Sequence, residues 1–225
     1  MLDFKNIFEN WMSLSESNDK DYQPIRSLRV LDFDHTVAFT GEMVYIMSPE
    51  GEVVDTLDSE EYSHHSFSRD EILAGYYYDF REFDDVDASR ARENQHVTSI
   101  LRNFINAAPG RIILILTARN QEAEGGIRNY LETIGIDHGN ISVIGVGSSA
   151  PQKKVDRVRE ILDQHKSIEE ISFFDDSGAN TDEMMRFLKT YEREDGSPVF
   201  FDIAKVESDG KLTRMPGYRA RRRNA

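Results

Sequence analysis

Val30-Leu31-Asp32-Phe33-Asp34-His35-Thr36-Val37 is an apolar run of strand character that stops at two aspartates one residue apart. In an extended chain the side chains i and i+2 share a face, so this spacing predicts Asp32 and Asp34 emerging together at the carboxyl end of a strand. Carboxylates that close repel unless a cation lies between them or one holds a proton. A strand running into an acidic turn is the plain alternative, and short D-x-D matches recur by chance, so the rest of the chain decides.

Downstream the pattern alternates. Val97, Ile100, Leu101, Phe104 and Ile105 set a helical stripe that predicts a helix over 89–107, closed by Pro109-Gly110. A strand is predicted over 112–116, ending on Thr117-Ala118-Arg119, then a helix through Ile127, Tyr130, Leu131 and Ile134 with Gly135 past its end. Strands at 141–146, 171–174 and 199–203 follow, separated by stripes at Val155, Val158, Ile161, Leu162 and at Met184, Met185, Phe187, Leu188. Such alternation predicts an α/β, Rossmann-like three-layer fold with a central parallel sheet, in which ligands bind at the carboxyl ends of the strands where strand order reverses.

Between the first strand and this series lie two short runs around a turn signal, 43–47 and 53–54, which predict a hairpin. Capping boxes at Asp58-Ser59-Glu60-Glu61 and Ser68-Arg69-Asp70-Glu71 predict two short helices. The dense aromatic run Tyr76 to Phe83 reads as a small core, with stacking on a base as the functional alternative. Upstream, Phe4, Ile7, Phe8, Trp11 and Met12 predict an amphipathic helix bracing the domain.

At 225 residues the chain fits one domain with an insertion or at most two small ones. It contains no cysteine, which excludes disulfides, thiolate zinc sites and cysteine nucleophiles. With no apolar run near the ~20 residues a bilayer span needs, and no basic segment leading into an apolar core at the start, the expectation is a cytoplasmic protein without membrane contact. A net charge of −14 argues against coating nucleic acid by general electrostatics, although Arg214, Arg219, Arg221, Arg222 and Arg223 make the tail basic.

The predicted strand ends gather Asp32, Asp34, Thr117, Asp175 and Asp176 on one rim. Four carboxylates with no compensating arginine cluster form a hard-oxygen set suited to magnesium. A cation for a phosphoryl group could come from Lys153 or Lys154, and helical spacing puts Lys154 on the buried stripe with Val158 and Ile161. His35 reads as a turn-filling side chain, and His64, His65 and His96 show no metal-ligand spacing and read as surface.

These ordered motifs resemble the haloacid dehalogenase (HAD) superfamily of phosphohydrolases, and more loosely its small phage-type members with a cap after the first motif. D-x-D-x-T is met by Asp32, Asp34 and Thr36, the strand-ending hydroxyl by Thr117, the basic residue by Lys154, and the acidic pair by Phe174-Asp175-Asp176-Ser177. The resemblance implies a magnesium-dependent phosphomonoester hydrolase working through an aspartyl phosphate. Asp32 would be the nucleophile and Asp34 the acid and base. Thr117, Ala118, Arg119 and Lys154 would bind the substrate. Magnesium would be held by Asp32, the backbone carbonyl of Asp34 and Asp176, with Asp175 the alternate and Asn180 behind them.

The same resemblance divides the chain into an N-terminal helix and connection (1–27), an α/β core (28–38 and 88–205), a cap (39–87), and a C-terminal hairpin with the basic tail (206–225). The aromatic insertion and basic tail favour nucleotides or nucleic-acid ends as substrate. Hydrolysis or phosphotransfer of sugar or other small phosphates, and a non-catalytic binding protein of the same fold, are the alternatives.

Overall fold

A computed structural model describes residues 24–107 and 109–216. The stretch expected to form the N-terminal helix and the tail arginines Arg219, Arg221, Arg222 and Arg223 lie outside the described residues.

Six strands form the main sheet, in the order β11, β10, β9, β1, β7, β8. They are β1 (Ser27–Leu31), β7 (Arg111–Thr117), β8 (Ile141–Gly145), β9 (Glu170–Asp175), β10 (Phe200–Val206) and β11 (Leu212–Arg214). All neighbours are parallel except β10 and β11, which form a terminal hairpin. The predicted strand periods hold because both faces of the sheet are covered, so Ile112 to Leu116 are buried without alternation. From β1 the chain steps outward through β7 to β8, then returns to the other side of β1 with β9 and continues to β10. The crevice between β1 and β9 is therefore the point where strand order reverses.

Helices α5 (Pro151–Gln164) and α6 (Gly178–Thr190) cover one face. Their Val158, Ile161, Met184 and Leu188 pack on Leu28, Val30, Leu114 and Phe173. Helices α3 (Gln95–Ile105) and α4 (Glu124–Thr133) cover the other, with Val97, Leu101, Ile127 and Tyr130 against Leu31, Phe33, Ile115 and Phe174. Each fully buried aliphatic side chain in these layers contributes roughly 1.5–3 kcal/mol relative to exposure.

Helix α3 begins at residue 95, six residues later than its stripe suggests. Asp87 is a capping residue that closes only a turn, accepting the Ser89 amide at 3.0 Å. The chain then forms strand β6 (Arg92–Glu93) against β2 (Ala38–Phe39) before Asn94 caps the helix. The β2–β6 pairing has no sequence signal beyond two short polar and apolar dipeptides.

The insertion holds a three-stranded antiparallel sheet ordered β4, β3, β5, from β3 (Val44–Met47), β4 (Val53–Leu57) and β5 (Tyr77–Asp79). The expected hairpin is β3–β4. The expected short helices are α1 (Ser59–His64) and α2 (Arg69–Ala74), each opened by a reciprocal cap at Asp58/Glu61 and Ser68/Glu71. Val44, Ile46 and Leu57 are buried under Tyr62, Phe67, Tyr76, Tyr78 and Phe83, so most of the aromatic run serves a small core. Phe67 and Tyr78 are stacked at 4.3 Å. His65, expected at the surface, is half-buried, with its Nδ1 2.6 Å from the Tyr78 hydroxyl and its ring edge-on to Phe67.

Candidate functional site

Beyond Leu31 the strand geometry lasts one residue, with the Asp32 amide donating to the Phe174 carbonyl at 2.8 Å. The chain then turns. Val37 and Ala38 amides donate back to the Phe33 carbonyl, and His35 takes a left-handed φ of 54°. Alternation therefore does not carry Asp34 onto the face used by Asp32, and the two carboxylates acquire different partners.

Asp32 joins Asp175 and Asp176 from the end of β9, with one carboxylate oxygen of each within 4.8 Å of the others. Lys154 reaches this group from the first turns of α5. Pro151 opens that helix, and the buried stripe 154, 155, 158, 161, 162 turns Lys154 inward while Lys153 is exposed. The Lys154 ammonium donates to Asp32 Oδ1 at 2.6 Å and Asp175 Oδ2 at 2.8 Å. Burial alone would lower the lysine pKa, but Asp175 and Asp32 hold it above its ordinary value, so it is a cation.

Burial, and then repulsion from Asp175, Asp176 and Asp34, push the Asp32 carboxyl well above the carboxylate range despite Lys154. Burial and Asp175 raise Asp176 to about 6. Asp175 has no accessible surface. It accepts from Lys154, from the Ser177 amide at 2.9 Å and from Asn180 Nδ2 at 2.9 Å on Oδ1 and 3.1 Å on Oδ2. These bonds fill Asp175 and place Asn180 behind it. Asp176 accepts from no other side chain among the described residues, which leaves its oxygens available for a cation.

The donor set fits magnesium on its own chemistry. Three carboxylates facing one ammonium leave two formal negative charges in a buried site, all on hard oxygen. Asp32 and Asp176 would hold the ion, with Asp175 orienting Lys154. The Asp34 side chain is not part of this group.

Asp34 is instead held by Arg119. Arg119 Nε donates to Asp34 Oδ2 at 2.9 Å and Arg119 Nη2 to Oδ1 at 2.7 Å, and Thr40 adds a hydroxyl at 2.8 Å. Burial would raise the Asp34 pKa, yet the Arg119 fork brings it below the ordinary carboxylate value. Thr117, also buried, lies 3.5 Å from Asp34 Oδ2 and accepts the Arg119 amide at 3.2 Å, and the half-buried Ala118 lies between them.

Two expectations change here. The acidic rim does have a compensating arginine. And Arg119, expected to bind substrate, has a side chain only 1% exposed whose donors are spent inside the protein. Its remaining Nη1 donates to the carbonyls of Asp85 at 2.5 Å and Phe83 at 3.3 Å, and Nη2 lies 3.2 Å from Glu42. Glu42 is a buried acid that sequence reading missed, because a single acid in a loop carries no pattern.

Two glycines allow this packing. A Cβ on Gly145 would lie 2.6 Å from the Arg119 carbonyl oxygen, and one on Gly126 would lie 2.6 Å from the Val86 amide nitrogen. The Arg119 loop and the end of the insertion therefore approach β8 and α4 as only glycine permits. At the opposite, amino-terminal end of the strands a cavity of about 180 Å³ is lined by Arg26, Arg29, Arg111, Glu169 and Glu170 among others, away from the carboxylates.

In comparisons with protein-family models, curated proteins and solved structures, the chain matches none. The fold and site define a mixed α/β protein with a Rossmann-like, mostly parallel sheet and a carboxylate–lysine cluster at its switch point. No helix among the described residues is long and apolar enough to cross a membrane.

Proposed function

We propose that this chain is a magnesium-dependent phosphomonoester hydrolase of the HAD type, acting through an aspartyl phosphate on Asp32. The observation that carries the reading is the convergence of Asp32, Asp175 and Asp176 within 4.8 Å, with Lys154 bridging Asp32 and Asp175, at the crevice where strand order reverses. A bound magnesium ion would neutralise charge on the phosphoryl oxygens and on these carboxylates.

The remaining chemistry belongs to the chain. The ionised form of Asp32, which Lys154 favours and a bound cation would favour further against the push of burial, attacks phosphorus through a carboxylate oxygen, and the phosphorus–oxygen bond to the leaving group breaks. Lys154 fixes the direction of that carboxylate through its 2.6 Å bond. In the second step Asp34 accepts a proton from water, whose oxygen attacks the aspartyl phosphate and returns Asp32 with release of phosphate. Arg119 keeps Asp34 ionised, the form this step needs. Donating to a leaving oxygen requires Asp34 to be loaded with a proton first, so leaving groups that depart as stable anions are the better substrates.

The substrate class is framed by the insertion. Phe67 stacks on Tyr78, and Tyr62 and His65 meet Tyr78 edge-on, which removes these four as platforms for a base, while Tyr77 and Phe80, the latter edge-on to Tyr62, remain exposed. Nucleotides and nucleic-acid ends stay the favoured substrates, on those two rings and the basic tail. The test is phosphate release from nitrophenyl phosphate, nucleotides, a phosphorylated oligonucleotide and sugar phosphates, each in magnesium and in chelator, with wild type and Asp32→Asn. Magnesium-dependent release abolished by the substitution supports the reading. Binding without release across the panel would instead point to a non-catalytic protein.

A further inference from the structure

The insertion joins the core through two roots, one leading into β3 near Glu42 and one leaving after β5 through a short 3-10 turn, Arg81–Asp84. One set of contacts ties these roots to each other. Glu82 accepts from the Met43 amide at 3.0 Å and from the Tyr45 hydroxyl, and Arg90 pairs with Glu82 and donates to the Gly41 carbonyl. A second set ties both roots to the rim and centres on one side chain, with the Thr40 hydroxyl adding a direct 2.8 Å bond from the incoming root to Asp34. The Arg119 guanidinium meets Glu42 on the incoming root, the Phe83 and Asp85 carbonyls on the outgoing root, and both oxygens of Asp34. Its planar group lies over the rings of Phe33, from the Asp34 loop, and Phe83, from the outgoing root. Asn120 reinforces it with a 3.2 Å bond to Asp84.

We infer that Arg119 is a positioning residue that fastens both roots of the insertion to the Asp34 loop, so that the seating of the insertion and the aim of the Asp34 carboxylate are one coupled property. The fork geometry is what makes this possible. Donors in one plane hydrogen-bond an acid on the core and two carbonyls on one root while the same charge ion-pairs an acid on the other root, which a lysine's single ammonium cannot do. Burial locks the arrangement, because releasing any partner leaves a charged or polar group unpaired in a dry site. A shift of the insertion on meeting a substrate would therefore be felt at Asp34. The insertion reads substrate shape, and Arg119 converts it to placement of the acid–base group. Only the kinetic half of this inference rests on the phosphohydrolase reading.

The test uses full-length protein with Arg119→Lys and, separately, Glu42→Gln. Hydrogen–deuterium exchange of the backbone is followed over 40–46 and 80–86, and kcat and KM are measured on nitrophenyl phosphate and an alkyl phosphate in magnesium. Arg119→Lys should speed exchange at both roots together by about tenfold or more. It should lower kcat on the alkyl ester by roughly 100-fold while KM moves by less than about threefold, the signature of a misplaced group rather than a lost substrate contact. Glu42→Gln, which leaves the Asp34 fork intact, should loosen 40–46 and cost less in kcat, and it supplies the answer if Arg119→Lys does not fold. Unchanged exchange at both roots in a folded variant would overturn the coupling, as would a large rise in KM with kcat retained, which would return Arg119 to substrate binding. If wild type releases no phosphate, the phosphohydrolase reading fails while the exchange result still decides the coupling.

Discussion

Asp176→Asn tests the charge accounting of the site in both directions. Asp176 has a folded-state pKa near 6, raised by burial and Asp175, against about 4 for an unfolded aspartate. A carboxyl whose pKa is raised by folding contributes its stability below the unfolded value and loses it as pH rises through the folded value. In chelator, wild type should therefore lose stability relative to Asp176→Asn between about pH 4 and pH 6, since the amide imitates the protonated acid at every pH. The shift of about two units caps the difference at about 3 kcal/mol, or roughly 5–10 °C in melting temperature for a chain of this length. The same proton is shared with Asp32, whose pKa is raised by burial and by the same neighbours, so the titration belongs to the pair.

Magnesium should reverse the order. At a hundredfold excess over its Kd an ion that binds only the folded state adds about 2.7 kcal/mol, and the variant, lacking one ligand, gains less. The assay is a set of melting curves of both proteins at pH 5 and pH 7, in chelator and in millimolar magnesium. At pH 7 the variant should melt above wild type in chelator and lose that advantage in magnesium. Coincident curves at pH 7 in chelator, with neither protein responding to magnesium, would refute the shared-charge reasoning.

The other expectations concern the roles of single side chains. Asp32→Asn should lower turnover by several orders of magnitude without unfolding the protein, measured as phosphate release beside a circular-dichroism melt. Asp34→Asn should accumulate phosphorylated Asp32 with nitrophenyl phosphate, visible in intact mass, because attack proceeds while water activation fails; no accumulation would argue against Asp34 as the base. Lys154→Met removes the one cation shared by two buried carboxylates, and should destabilise the protein by about 3–5 kcal/mol in chelator by denaturant titration, with partial recovery in magnesium. Gly126→Ala should cost about 1–3 kcal/mol, because the added carbon lands on the Asp85–Val86 backbone.

Most of the sheet was legible because its strands are buried on both faces and therefore uninterrupted in hydrophobicity, as at Ile113, Ile115 and Phe173. Lys154 was legible for a related reason, since a charged residue on an apolar stripe has to face whatever the stripe faces. Strand β5 was not. Tyr76 and Tyr78 turn inward and Tyr77 outward, an alternation hidden when all three residues are the same type. The surroundings of His65 were hidden likewise, because its partners Phe67 and Tyr78 meet it through tertiary packing.

The division of the acidic rim was the part that spacing could not supply. D-x-D spacing states that two carboxylates leave one strand end, and extended geometry would send them the same way. A left-handed residue at His35 and a turn closing on the Phe33 carbonyl redirect the second one, and no periodicity encodes a turn of that kind. Once Asp34 is turned, the cations sort the rim. Arg119 arrives from the loop after β7 and takes Asp34 in a fork, while Lys154 arrives from α5 and takes Asp32 and Asp175 with a single ammonium. The half served by Lys154 keeps three converging carboxylates against one positive charge, and Asp176 keeps its oxygens clear of other side chains. That half carries two unbalanced formal negative charges, against one for Asp34 and Glu42 on Arg119, and its oxygens converge as a divalent cation would require. The other half is fastened to the insertion, so the rim separates the residues that would meet metal and phosphorus from the residue that would move the proton.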